Sequence, residues 1–324
     1  MEIAKFSNRS AQFLRTPAGR NIVRGASALF TLGIIFYLFD QLDRIGWQEV
    51  WQAAPRTVSF YVLFIAIYLT LPVFESVVYS MLWGIAPHKC FPALLKKRVL
   101  SKSVIDYSGE AYLYVWARRR VDLSERDLLA TIKDSVIVSV ATSTALIALL
   151  VASLLLAGAL VLPDGLVRLH AAPILALAVG VAGVGIAVFK FRRRILFLPK
   201  EILKKILALH SGRYLLLQVL QVAQWVVVYP DMPLRSWLLL LAAQQVLYRI
   251  PFVPNREFVF AGVGLGLAQW VDLTEASMAG LLLTAGLLEK GAHLLSFALV
   301  SVAEPGPEET AGERVSHPSK ISAD

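Results

Sequence analysis

Residues 135–162 read SVIVSVATSTALIALLVASLLLAGALVL, with no charged side chain. A helix rises about 1.5 Å per residue and the hydrocarbon core of a bilayer is about 30 Å thick, so roughly 20 such residues cross it. A helix apolar on every side over this length belongs in lipid rather than in water. This stretch decides the fold class: an all-α, polytopic integral membrane protein.

The composition agrees. The 324-residue chain is 57% hydrophobic and 17% charged, against about 25% charged in ordinary soluble domains, and its mean hydropathy is +0.63. Outward from 135–162, further apolar runs occur at Gly25–Leu42, Val58–Ile85, Ala171–Phe189, Tyr214–Tyr229, Ser236–Tyr248 and Ala276–Ala303. The first follows a long basic region and is read as a retained span, not a cleaved signal. Two segments do not fit simple spans. Residues 99–117 are broken by Lys102, Asp106, Gly109 and Glu110. Residues 251–271 open with Pro251 and Pro254 and carry Arg256 and Glu257. Each is read as an interrupted or re-entrant helix, the kind that marks a transporter's binding site; a surface-lying helix is the alternative. The count is then seven or eight membrane segments, depending on whether 258–271 crosses.

Lysine and arginine orient these segments. Five lie in the N-terminal arm 1–24, nine in 87–127 and eight in 190–213, while the alternate loops 43–57, 163–170 and 230–235 hold two, one and one. Cytoplasmic loops carry the basic excess. The arm 1–24 is therefore expected in the cytoplasm, followed by a single transmembrane domain over 25–303 and a disordered tail over 304–324, rich in Pro, Gly, Ser and acids. The net charge of +9 is explained by this alternation, and no nucleic-acid motif accompanies it. Residues 195–210, with Lys200, Lys204 and Lys205 among Ile202, Leu203, Ile206 and Leu207, read either as a separate basic amphipathic helix on an anionic leaflet or as a connector made basic by topology.

Chemistry is sparse. One cysteine, Cys90, and five scattered histidines (His88, His170, His210, His293, His317) offer no disulfide framework and no ligand spacing, so neither metal nor cofactor is expected. Gly262, Gly264 and Gly266 lack the strand–helix setting of a dinucleotide site and are read as small residues for close helix packing. Ionisable groups at membrane depth cost about 2.5–3.5 kcal/mol on insertion scales and are functional candidates by default. They are Glu75, Glu110, Lys133, Asp134, Arg256, Glu257, Glu289 and Lys290, with Lys133 and Asp134 near an interface. Gln218, Gln221 and Gln224 form one helical stripe, suited either to interhelical amide bonding or to lining a polar groove; Gln244 and Gln245 follow in the next span.

At the two interrupted segments the chain resembles the transmembrane, flippase-like family of lysylphosphatidylglycerol synthases. The resemblance rests on Tyr107-Ser108-Gly109-Glu110 followed by Arg118, Arg119 and Arg120, on Lys133 near the next span, on Pro251-Phe252-Val253-Pro254-Asn255-Arg256-Glu257, and on Lys290 in the last span. It covers roughly residues 20–303. Leu113 stands where the family's arginine after Gly-Glu usually lies, and Asn255-Arg256 replaces its double glycine. The resemblance implies a membrane scaffold that binds polar or anionic lipid head groups, or lipid-linked intermediates, and moves them between leaflets. It also implies a bacterial cytoplasmic (inner) membrane location. Lipids are the expected partners, with a second copy of the chain or a lipid-synthesis enzyme as protein partner. The longest non-membrane stretch is about 40 residues, short of a domain, so no aminoacylating activity is expected. A membrane-embedded enzyme, or an accessory subunit of an envelope-lipid pathway, is the alternative. Glu110, Glu257, Glu289 and Lys290 are expected to converge on one polar cavity, with Arg118, Arg256 and Lys290 meeting lipid phosphate.

The orientation has a direct test. A membrane-impermeant thiol reagent is expected to reach Ser103→Cys and Ser211→Cys from the cytoplasmic side only; labelling of both from outside alone refutes it.

Overall fold

The computed structural model describes residues 32–33, 36–103, 108–158, 196–250, 253 and 255–303. The arm 1–24, the expected span Ala171–Phe189, the tail 304–324 and part of the expected first span lie outside the described residues. Within them the chain is helical, with no strand. In chain order the helices are α1 (Trp47–Gln52), α2 (Val58–Trp83), α3 (Pro87–Ser103), α4 (Ser108–Arg118), α5 (Glu125–Leu156), α6 (Lys200–Val226), α7 (Leu234–Leu247), α8 (Arg256–Leu267) and α9 (Glu275–Ala303), with a short 3-10 turn at Ala268–Val271 after α8.

Four of them, α2, α5, α6 and α9, are long and apolar enough to cross a membrane. Their ends follow local chemistry. Gly84, at φ 71°, stops α2 in a left-handed turn that only glycine adopts without strain. Pro87 opens α3, where its missing N–H costs nothing. The Ser124 hydroxyl accepts from the Asp127 amide, 3.1 Å away, to cap α5, and Glu125 and Asp127 in the first turn complement the helix dipole. The basic segment 195–210 is not a separate helix: from Lys200 it runs unbroken into the apolar run as α6, 27 residues long. One glycine, Gly212, costs a helix only about 1 kcal/mol relative to alanine, too little to end one of this length.

The long helices expose apolar side chains and bury polar ones beside their apolar core residues. On α2, Val62, Ile65, Val73 and Val77 are exposed while Thr70, Glu75 and Ser76 are buried. On α9, Leu294, Leu295 and Leu299 are exposed while His293 and Ser296 are buried. Water would drive the opposite arrangement; lipid accepts this one.

The chain forms two compact units. In the larger, residues 57–242 and 288–324, five helices pack in a closed circuit: α2 on α3, α3 on α4, α4 on α5, α5 on α6 and α6 back on α2. Leu82, Trp83, Leu94, Leu113, Leu128 and Ile206 are fully enclosed between them. Helices α3 and α4 form an antiparallel hairpin: Ser108 donates to the Leu100 carbonyl at 2.8 Å, and Gly109 lies against Lys97 and Ser101. Among the described residues the arms are 17 and 11 residues long, or about 25 and 17 Å. Cys90 is fully buried on α3, and burial pushes its thiol up to about 11, which makes it a poor nucleophile.

In the smaller unit, residues 1–56 and 243–287, glycines again mark close approaches. Gly264 seats the Leu282 side chain and Gly280 lies against the backbone of Ala53, where an added Cβ would come within 2.7 Å of the carbonyl. Helix α8 begins after Asn255, in left-handed conformation at φ 48°; its 12 residues span about 18 Å.

Gly109 carries the tightest requirement. A Cβ there would fall on the Lys97 carbonyl and the Ser101 hydroxyl, and backbone does not yield. Gly109→Ala is expected to lower stability by at least the about 1–3 kcal/mol of an overpacked core site, read as a lower Tm in detergent; an unchanged Tm contradicts the close packing of the hairpin.

Candidate functional site

The site starts from three consecutive cations on α3: Lys96, Lys97 and Arg98. Successive residues on a helix point about 100° apart, so each meets a different neighbour. The Lys96 ammonium lies 5.2 Å from the centre of the Tyr112 ring of α4, the Lys97 ammonium 5.9 Å from that of Tyr79 and the Arg98 guanidinium 4.5 Å from that of Tyr68, the last two on α2. Cations over aromatic faces are stabilised, more so once desolvated.

Lys97 is the most enclosed of the three. Its side chain is 7% exposed and its ammonium donates to Glu75 of α2 at 2.7 Å, with Glu110 of α4 at 3.5 Å. Burial acts most strongly against its charge, but Glu75, with Tyr79 and Glu110 behind it, more than offsets that, and the ammonium is held above the ordinary lysine range. A raised lysine pKa contributes stability throughout the pH range below the unfolded value and loses it only as pH rises through the folded one. The ion pair therefore persists at neutral pH. Helices α5 and α6 close the interior behind it. Ser135 meets His210 Nε2 at 3.4 Å and Arg213 donates to Ser139 at 3.0 Å.

Arg98 leads to a second cluster. Its guanidinium lies 3.7 Å from Glu289 of α9. Tyr68 beneath it donates to Ser296 of α9 at 3.1 Å and packs edge-on against His293, whose Nδ1 lies 2.6 Å from the Glu289 carbonyl.

The residues expected from the sequence divide accordingly. Glu75 and Glu110 share Lys97, and Gly109 sets the helix contact that brings Glu110 there. Glu289 pairs with Arg98, while Lys290 is half-buried beside it in sequence. Arg118 lies on the surface and pairs with Glu125. Arg256 and Glu257 belong to the smaller unit. Arg256 donates to the Tyr248 carbonyl at 3.0 Å and to the Val253 carbonyl at 3.3 Å, closing the chain between α7 and α8, and Glu257 is buried in the first turn of α8.

Others have structural work. Asp134 is fully buried and accepts from the Phe197 and Leu198 amides at 2.6 and 2.8 Å, fastening the entry to α6 onto α5, while the half-exposed Lys133 ammonium lies 3.2 Å from its other oxygen. Gln221 donates to Gln224 at 3.1 Å and Gln224 to the Phe60 carbonyl at 3.3 Å; this end of the glutamine stripe, which began at Gln218, joins α6 to α2. Among the described residues no group of three or more His, Cys, Asp or Glu could hold a metal ion.

Sequence reasoning took Lys97 and Arg98 only as members of a topological charge count. Periodicity held the missing signal. Lys97 follows Ala93 and Leu94 by four and three positions, and Arg98 follows Leu94 and Leu95 likewise, which puts both cations on faces that are buried.

Comparison with family models, with curated proteins and with solved structures finds no match for this chain.

Removing one partner of a buried ion pair leaves the other charged and enclosed, at a cost of about 3–5 kcal/mol. Lys97→Met is expected to lower the Tm in detergent strongly, and Lys97→Met with Glu75→Gln to recover part of the loss. Equal melting of the single and double variants rules out the coupling.

Proposed function

We propose that this chain is an integral membrane protein that binds polar or anionic lipid head groups, or lipid-linked intermediates, and moves them between leaflets. The observation that carries the reading is the α3–α4 hairpin. It holds Lys97 buried and Arg98 partly buried against carboxylates, beside helices of membrane-crossing length with apolar residues exposed on them. A lipid carrier needs both: polar groups inside for the head group and an apolar outside continuous with the acyl chains. Charges this costly to bury persist where they act on something.

The rest of the reading follows the same support. The hairpin and α8 are the two half-inserted elements in a set of seven or eight membrane segments, and the Gly109-Glu110 and Arg256-Glu257 pairs open α4 and α8, the positions at which the chain resembles the flippase-like family. The excess of lysine and arginine in alternate loops supports a cytoplasmic N-terminus, and the resemblance to the flippase-like family supports a bacterial inner-membrane location. A lipid-synthesis enzyme supplying the head group is the natural protein partner.

The test is reconstitution into vesicles carrying fluorescent anionic or zwitterionic lipid, with a membrane-impermeant quencher to count the outer leaflet. The wild type is expected to move lipid faster than empty vesicles, anionic lipid above all, and Arg98→Gln to slow it at equal folded protein. Rates equal to empty vesicles for every head group refute the reading.

A further inference from the structure

The smaller unit carries three tryptophans that its own packing leaves out. Trp47 and Trp51 of α1 are 48% and 78% exposed, and Trp270, in the 3-10 turn after α8, is 48% exposed. The other four, Trp83, Trp116, Trp225 and Trp237, are all buried. Helix α1 encloses none of its residues. Trp47 and Trp51, four positions apart, lie on one side of it, while Gln48, Glu49 and Gln52 are exposed as well. Neither water nor hydrocarbon suits such a surface. Indoles left in water forgo the stabilisation that burying apolar area brings, and amide and carboxylate groups in hydrocarbon go unsatisfied. The head-group zone of a bilayer accepts both, because an indole has an apolar body and a single N–H donor.

Contacts inside the unit set the three tryptophans at one end of it. Gly280, five residues after the start of α9, lies against the Ala53 backbone just past α1. Trp270 stands five residues before Glu275, where α9 begins. Gly264 of α8 seats Leu282, and a Cβ on Gly286 would lie 3.5 Å from the Phe258 ring. Helices α8 and α9 are therefore antiparallel, and the turn between them belongs to the α1 end.

The bilayer reaches this end. Within the helical residues 36–45, Phe36 and Phe39 are exposed, and Trp47 folds back onto Phe39 with ring centres 5.2 Å apart. Trp47 thus continues an outward apolar flank, on a helix that also carries the exposed Asp40–Arg44 ion pair. After α1 the chain leads within six residues to Val58, the exposed first residue of the crossing helix α2. Charged and apolar side chains alternate here within a turn or two, as they must where hydrocarbon gives way to water. Loop 43–57 holds only Arg44 and Arg56 as basic residues, which puts this boundary on the side away from the cytoplasm.

We propose that α1 and the α8–α9 turn form a lipid-contacting surface, on which Trp47, Trp51 and Trp270 seat in the head-group zone of the non-cytoplasmic leaflet. Its partner is the phospholipid–water boundary and not one bound lipid molecule. The surface fixes the depth of the smaller unit in the bilayer. It also sets a direction: α9 starts at this leaflet, and its 29 residues, about 43 Å, carry it to the cytoplasmic one. None of this depends on the protein moving lipid.

The four remaining tryptophans are buried, so quenching by lipid reads these three. In phosphatidylcholine nanodiscs, a nitroxide at the head group is expected to quench tryptophan fluorescence more than a nitroxide at the end of the acyl chain. The triple variant Trp47→Phe, Trp51→Phe, Trp270→Phe is expected to lose most of that difference. Trp51→Phe alone, the most exposed position, is expected to lose part of it should the triple variant fold poorly. Quenching by aqueous iodide with none by either nitroxide overturns the lipid surface. Stronger quenching from the chain end overturns the head-group level. Protection from all three quenchers, as beneath a partner protein, overturns lipid as the occupant. In whole cells, a membrane-impermeant thiol reagent is expected to reach Gln48→Cys and Glu275→Cys from the non-cytoplasmic side; labelling of either from the cytoplasm alone overturns the leaflet.

Discussion

An ammonium placed inside an apolar bundle must be matched by charge, and Lys97 imposes that demand on everything around it. Its carboxylate partners come from two different helices, so α3 cannot dock on α2 without Glu75 in register, nor can α4 fold back on α3 without bringing Glu110 up. The second requirement explains Gly109. Any side chain there would hold the arms of the hairpin apart by the thickness of a methyl group, and Glu110 would lose its place beside the ammonium. A backbone constraint and an electrostatic one thus meet at adjacent residues.

The bundle is not held as a water-soluble one is. Its long helices carry exposed apolar side chains as well as a buried apolar core with polar residues among it, and outer faces of that kind gain nothing from burial against water where lipid surrounds them. Close approach and polar bonding remain. Trp83 donates to Thr131 at 3.1 Å across the end of α2 and α5, Gln224 reaches the backbone of α2, and Asp134 holds two amides at the entry to α6. Each satisfies a group that neither lipid nor an apolar core would solvate. Such bonds are worth little individually, but each is costly to leave unmade.

Lys97 and Arg98 are neighbours with separate allegiances. The helical advance of one residue turns Arg98 from the Glu75–Glu110 interior towards Tyr68 and α9. The same short helix therefore ties the hairpin to the second half of α9 through Glu289 and to α2 through Glu75.

The sequence alone determined the class. Uncharged runs such as 135–162 and the helical period of the apolar residues specify helices that lipid solvates, because solvation of a single helix depends only on the side chains along it. It also singled out Gly109, Glu110, Glu75 and Glu289 as charged or small residues where such residues are costly or purposeful. It did not join the basic stretch before His210 to the apolar run after it, since a break between them is decided by cooperative helix formation and not by a change in composition. Nor did it show that Asp134, besides its contact with Lys133, holds the Phe197 and Leu198 amides. Which cation serves which carboxylate was left to the tertiary structure: Lys97 rather than Lys96, and Arg98 against Glu289. The reason is geometric. Pairing between helices depends on their relative rotation and register to within a fraction of a turn, and a one-dimensional pattern records each helix's own faces but not the angle at which its neighbour arrives.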